Sequence, residues 1–308
     1  MREVSHEGAD DTATNVNPQP TEPTPSLTDR ISDSLQNVIK AVIGSNRQPP
    51  RRLKSLLNGT WLGHPLHPAL TDVPIGAWLL AVILDIIWLV APAAQSWAGR
   101  GAEVAVIVGV LGAVAAAVTG LADWSDTYGA ERTVGLLHAA LNTLALVLFI
   151  ISAALRLGAS DGASVAAITL DFIGLISVLA AAYYGGDMVF DKGTAVNHTA
   201  WEAGAEEFEP ALAVADLPEH TLRRVTVAGI PVVVLKTGER YFAIAATCTH
   251  AGGPLDEGEL QAGDVVQCPW HGSRFRLRDG KPLTGPATIA QPRYETRVRD
   301  GMLELRRA

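Results

Sequence analysis

Cys248-Thr249-His250-Ala251-Gly252-Gly253-Pro254 and Cys268-Pro269-Trp270-His271-Gly272-Ser273 are the stretches on which the reading of this chain turns. They form one Cys-x-His and one Cys-x-x-His with seventeen residues between them, and they contain the only two cysteines in 308 residues. Thiolate and imidazole are the side chains that hold soft and borderline metals. The glycines behind each histidine allow tight turns that bring backbone N–H groups close to whatever the four side chains hold. Zinc folds usually pair two cysteines in one knuckle, whereas each knuckle here has one cysteine and one histidine. A zinc site is the alternative.

Around these stretches the hydrophobic period is two. Residues 225–227, 232–235, 241–245, 265–267, 275–277, 295–298 and 302–305 read as short strands. Ala228-Gly229, Thr237-Gly238, Asp279-Gly280 and Asp300-Gly301 stand where hairpin turns are needed. Residues 218–308 are therefore expected to form a small all-β domain, behind an acidic linker at 194–217.

In this setting the motif pair resembles the Rieske [2Fe–2S] family, and the resemblance covers 221–305. It implies a [2Fe–2S] cluster with Cys248 and Cys268 on one iron and His250 and His271 on the other, and hence one-electron transfer. Gly285-Pro286-Ala287 resembles the family's proline loop over the cluster, and Ser273 is implied to donate its hydroxyl to a sulfide. With both cysteines so assigned, no structural disulfide is expected. Quinol-oxidising members resemble Cys-x-His-x-Gly-Cys and Cys-Pro-Cys-His-Gly-Ser-x-Tyr, braced by a disulfide. Here Gly253 and Trp270 stand at the bracing positions and Phe275 at the tyrosine. Fewer donors to sulfur imply a lower potential. The pattern is closer to the Rieske ferredoxins that feed dioxygenases and to small nitrite-reductase subunits. It does not resemble a Rieske oxygenase, because the 37 residues after His271 contain no histidine for a mononuclear iron.

Upstream the pattern changes. Apolar runs at 70–90, 104–121, 134–155 and 164–184 have the length of membrane-crossing helices. Small residues are dense in the second and fourth, as close packing in lipid requires. Short connections make neighbours antiparallel, so 63–193 is expected to be a four-helix transmembrane bundle. A buried soluble helical core is the alternative. The fold expected overall is multidomain: an all-α bundle followed by the all-β domain. Residues 27–62 read as an amphipathic, basic juxtamembrane segment, either lying on the membrane or packed on the protein. Residues 1–26 read as disordered, without a leader. Arg47, Arg51, Arg52 and Lys54 precede the first run, while the later loops are read with one arginine each, Arg100, Arg132 and Arg156. The positive-inside rule then places the N-terminus in the cytoplasm of a multi-pass plasma-membrane protein, and four crossings return the β-domain there. The bundle motifs (Gly63-His64-Pro65-Leu66-His67-Pro68, Gly120-Leu121-Ala122-Asp123-Trp124, His138 with Asn142, Gly185-Gly186-Asp187) resemble an uncharacterised bacterial membrane family, domain of unknown function 2231, which implies no activity.

His64, His67, His138 and His198 are expected to gather at one bundle end, as candidates for haem b or another metal, or as capping and interfacial groups. Asp85 and Asp171 lie inside helices at matched depth, as a candidate proton path or a packing site. The net charge of −8 argues against a nucleic-acid partner. The expected partners are the bilayer and a redox protein or quinone. A membrane-anchored electron carrier is the leading expectation. The alternatives are an oxidoreductase subunit whose bundle binds haem or quinone, and a redox sensor.

Overall fold

The computed structural model describes residues 26–46 and 52–308. The disorder expected for the first residues, and Arg47 and Arg51, lie outside the described residues. Two short helices come first. α1 (Leu27–Ile43) is started by a reciprocal cap in which Ser26 Oγ accepts from the Asp29 N–H (3.1 Å) and the Asp29 carboxylate accepts from the Ser26 N–H (3.0 Å). α2 (Arg52–Asn58) follows.

Four long helices then run up and down: α3 (Leu66–Val90), α4 (Gln95–Trp124), α5 (Gly129–Leu157) and α6 (Val165–Phe190). All four are long and apolar enough to cross a membrane. α4 begins well before the apolar run at 104. Its first turns carry charge, but Arg100 and Glu103 pair one turn apart at 2.6 Å, which lets the helix continue.

α3–α4 and α5–α6 are two copies of one hairpin. In α3, His67, Trp78 and Asp85 are eleven and then seven residues apart; in α5, His138, Phe149 and Arg156 have the same spacing. In α4, Gly109, Ala116 and Gly120 match Gly174, Ala181 and Gly185 of α6. Equivalent residues meet across the interface between the copies. Trp78 stacks on Phe149 with ring centroids 4.1 Å apart and planes 6° from parallel. Each ring is pressed onto the glycine of its own hairpin: a Cβ on Gly174 would stand 2.7 Å from Phe149, and one on Gly109 would overlap Trp78. Deeper towards the far end, the Arg156 guanidinium holds Asp85 (2.5 and 2.7 Å) and Asp171 (2.6 Å), all three fully buried.

This triad corrects one expectation: Arg156 lies inside α5, not in a loop, and does not bear on the charge balance of the outer loops. Asp85 and Asp171 are bound to one cation, the arrangement of an ionic packing site, one of the two roles expected of them. The Arg156 side chain reaches back from the helix end to neutralise groups that lipid cannot solvate.

The C-terminal part has two sheets. The first orders β1 (Glu209–Ala213), β10 (Met302–Arg307), β9 (Arg293–Arg299), β4 (Arg240–Ala245), β3 (Ile230–Thr237) and β2 (Arg223–Val227), all antiparallel. The second orders β5 (Glu259–Gln261), β6 (Val265–Gln267), β7 (Arg274–Arg276) and β8 (Pro282–Thr284). Alternation along β3 divides the core. Val232 and Val234 pack with Val225, Tyr294 and Leu303, while Val233 and Leu235 pack with Cys248, Cys268, Phe275 and Leu277. β1 falls within 194–217, so the segment expected to be only linker supplies an edge strand. Glu209-Pro210-Ala211-Leu212-Ala213 lacks a clean alternation, and pairing with β10 orders it.

The two halves are joined at one end of the bundle. Thr60 Oγ1 donates to the Ala287 carbonyl (3.2 Å), and the Gly285 N–H donates to Ser55 Oγ (3.2 Å). Lys54, fully buried, donates to Ser125 Oγ (2.5 Å) and Asp126 (2.8 Å) in the α4–α5 loop.

Candidate functional site

Two matched loops build the site. In the first, the Gly252 N–H donates to the Cys248 carbonyl and the Cys248 N–H to the Gly253 carbonyl, both at 2.9 Å. In the second, Gly272 N–H donates to Cys268 (3.2 Å) and Cys268 N–H to Ser273 (2.8 Å). The turn is the same in both, and Gly252 and Gly272 have the same φ of +79°, a left-handed value that costs glycine little. Each loop thus presents a cysteine at its base and a histidine near its tip.

Both cysteines are buried, and neither is part of a disulfide. The hydrogen bond with Cys268, reinforced by burial, holds the Cys248 thiol well above its ordinary range. The His250 and His271 rings lie 4.9 Å apart, nearly perpendicular at 79°. Burial, then the nearby His271 and His198, pushes His250 down to about 3, so its ring is neutral and keeps a lone pair for a metal. Its Nδ1 is buried without a hydrogen-bond partner. A Cβ on Gly253 would stand 2.9 Å from Cys268 Sγ, so this position admits no side chain. Ser273 is fully buried, and its Oγ accepts from the Ala287 N–H at 2.9 Å, which leaves the hydroxyl proton to be donated elsewhere. Gly285 and Pro286 form a cis peptide in the loop that carries Ala287. Two soft sulfurs, two imidazoles and an orphaned ring nitrogen make a donor set that fits a binuclear iron–sulfur cluster.

The histidine tips face the bundle. Tyr128, in the α4–α5 loop, stacks on His271 with centroids 5.4 Å apart and planes 17° from parallel. A cavity of about 1060 Å³ opens here, and His67, His138, His198, His250 and His271 all line it. Sequence reasoning grouped the first three with His64. His64 is exposed, donates to the Pro65 carbonyl (2.8 Å) and does not line the cavity. His198 belongs with the first cysteine loop, its N–H donating to the Thr249 carbonyl at 3.2 Å. Tyr128 was missed; its signal was an aromatic residue in the loop between two apolar runs, at the end shared with the β-domain.

Residues 207–295 match the family described as Rieske [2Fe-2S] domain, and residues 63–198 the family described as predicted membrane protein DUF2231. Among curated proteins, Ferredoxin CarAc of Metapseudomonas resinovorans is 38% identical over 90 residues, covering 29% of this chain and 83% of the relative. The 3-phenylpropionate/cinnamic acid dioxygenase ferredoxin subunit of Escherichia coli K12 is 36% identical over 92 residues, 30% of this chain and 85% of the relative. Among solved structures, the ferredoxin of carbazole 1,9a-dioxygenase from Nocardioides aromaticivorans is 25% identical with a TM-score of 0.32, covering 33% of this chain and 98% of that one.

Proposed function

Because the chain belongs to the Rieske [2Fe-2S] family, its Rieske domain following a DUF2231 membrane domain, we propose that it is a membrane-anchored one-electron carrier. Cys248 and Cys268 hold one iron, and His250 and His271 the other. The cluster supplies one-electron storage at a potential raised by the two imidazoles. The remaining tasks fall to the chain. Gly252 and Gly272 shape the loops, Gly253 keeps the space over Cys268 clear, and Ser273 directs a hydroxyl proton towards sulfur. The matched loops carrying this Cys/His set support the reading above all else.

The relatives are named as ferredoxin components, one of them of a dioxygenase. By analogy a redox protein is one partner of this chain. A second reading, an oxidoreductase subunit that passes electrons into its own bundle, is favoured by one observation: the histidine tips are turned onto Tyr128 and the bundle cavity rather than to open solvent. Both readings place the cluster in the cytoplasm at the plasma membrane. The basic residues support this side. Arg52, Arg132 and Lys192 lie at the β-domain end, whereas Arg100 alone is exposed at the far end among the described residues.

Full-length protein purified anaerobically in detergent is expected to contain about two irons and two acid-labile sulfides per chain. His250→Ala and His271→Ala should lose both. One zinc per chain with no labile sulfide would overturn the assignment.

A further inference from the structure

The hairpin repeat places a second, symmetric pair of imidazoles beside the first. His67 projects from α3 onto α4, where its Nδ1 meets the Ala116 carbonyl at 2.8 Å. His138 projects from α5 onto α6, where its Nδ1 meets the Ala181 carbonyl at 2.8 Å. Ala116 and Ala181 are equivalent in the repeat. So are the glycines one turn on, whose missing side chains make room for the rings: a Cβ would stand 2.7 Å from His67 on Gly120, and 3.1 Å from His138 on Gly185. A carbonyl only accepts, so each Nδ1 carries the proton and each Nε2 carries the lone pair. An imidazole whose Nδ1–H is tied to a backbone carbonyl is oriented as metal-ligating histidines usually are.

The two rings have centroids 6.3 Å apart and planes at 89°. Two imidazoles on opposite sides of one metal, with bonds of about 2.0–2.1 Å and ring nitrogens about 1.2 Å from the centroid, would be about 6.4 Å apart. A bare ion held by these two imidazoles alone would fall short of the four ligands a tetrahedral site needs. A planar macrocycle brings its own equatorial nitrogens and needs only the axial pair. The cavity of about 1060 Å³ has the room, since cofactor pockets span roughly 300–1,000 Å³. The stacked Trp78 and Phe149 lie eleven residues further along the same two helices, away from the β-domain. Asn142 Nδ2 donates to His138 Nε2 at 3.1 Å and to the His138 carbonyl at 3.0 Å. The second bond can hold the amide when a metal takes the nitrogen.

We propose that His67 and His138 are the axial ligands of a b-type haem set between the two hairpins, next to the cluster histidines. The haem site stands on the bundle alone. Its exchange of one electron with the cluster, one iron pair oxidised as ferric haem becomes ferrous, rests on the Rieske reading above.

The test uses full-length protein in detergent, as purified and after titration with haemin. One haem per chain, with the low-spin spectrum of two axial imidazoles, is expected. His67→Ala and His138→Ala should each weaken haem binding at least tenfold, while His64→Ala, outside the cavity, should leave it unchanged. The EPR signal of the reduced cluster, read in every variant, reports folding. A wild type that binds haem without that signal would sink the cluster and leave the haem site standing. For variants that do not fold, His67→Met and His138→Met substitute a ligand that moves the Soret and α bands. Unmoved bands in those variants, a five-coordinate high-spin spectrum, binding of a short-chain quinol but not haemin, or retention of haem by both alanine variants would each overturn the proposal.

Discussion

Phe275 is fully buried in the core that also contains Cys248 and Cys268. It offers no hydrogen bond to sulfur, and Gly253 and Trp270 cannot form the bracing disulfide, so these three positions give no support to the added electron. The midpoint potential is expected in the lower half of the Rieske range of about −150 to +300 mV. Phe275→Tyr should raise it by on the order of tens of mV, because a hydroxyl beside a ligand sulfur favours the reduced state. Film voltammetry of the two proteins checks this, and an unchanged or lower value contradicts it. The four residues proposed as ligands stand out in the sequence because their chemistry lies in residue type and spacing, and the fold brings their two loops together. Arg156 does not stand out. Near the end of an apolar run it reads as a loop cation, and only the fold brings it to Asp85 and Asp171. Arg156→Met should leave two buried carboxylates without their cation, which costs about 3–5 kcal/mol. Thermal unfolding in detergent should show the loss. The triple variant Arg156→Met, Asp85→Asn, Asp171→Asn should recover much of it, and a single variant as stable as wild type would remove the triad from the account.

At the scale of elements, α1 presents its polar side to the protein. Gln36 Nε2 donates to the Trp124 carbonyl (2.9 Å) and the Thr127 carbonyl (3.0 Å), and Arg132 binds Asp29 (2.6 Å) and Asp33. Its apolar side stays uncovered: Leu27 is 72% exposed, Val38 63% and Val42 74%. Sequence periodicity left open whether this helix lies on a membrane or packs on the protein. The geometry lets it do both, with the polar face docked and the apolar face turned to lipid. A spin label at Leu35→Cys should be relaxed more by oxygen dissolved in lipid than by a water-soluble nickel complex. The buried native cysteines should stay unlabelled, and the reverse preference would contradict lipid contact. The long helices and most strands were legible from their periods. Three elements were not. β1, β5 and β8 are short and carry Pro, Glu or Gln, so pairing rather than pattern orders them, β1 on the distant β10 and β5 and β8 on their neighbours β6 and β7. The hairpin repeat was also hidden. Trp78 answers to Phe149 and Asp85 to Arg156, so spacing survives where identity does not.

For the whole molecule, sidedness governs which partners can reach the cluster. The first residues of α3 and the last of α6 lie at the β-domain end, so in a bundle that spans a membrane α1, α2 and the Rieske domain share one side. The topology proposed from the basic residues makes that side the cytoplasm. A fluorescent protein fused after Ala308 should light up in cells, while a reporter active only after export should stay silent; the opposite pair of results reverses the topology. Apolar length made the four long helices readable, whereas the contact of Tyr128 with His271 appears only when the halves are folded together. The most direct test of the account is nitrogen-resolved EPR of the reduced full-length protein. An axial signal with a low average g and couplings to two imidazole nitrogens is predicted, and His271→Ala should abolish it. A reduced signal without nitrogen couplings, or one that survives unchanged in His271→Ala, would contradict a Rieske cluster held by this chain.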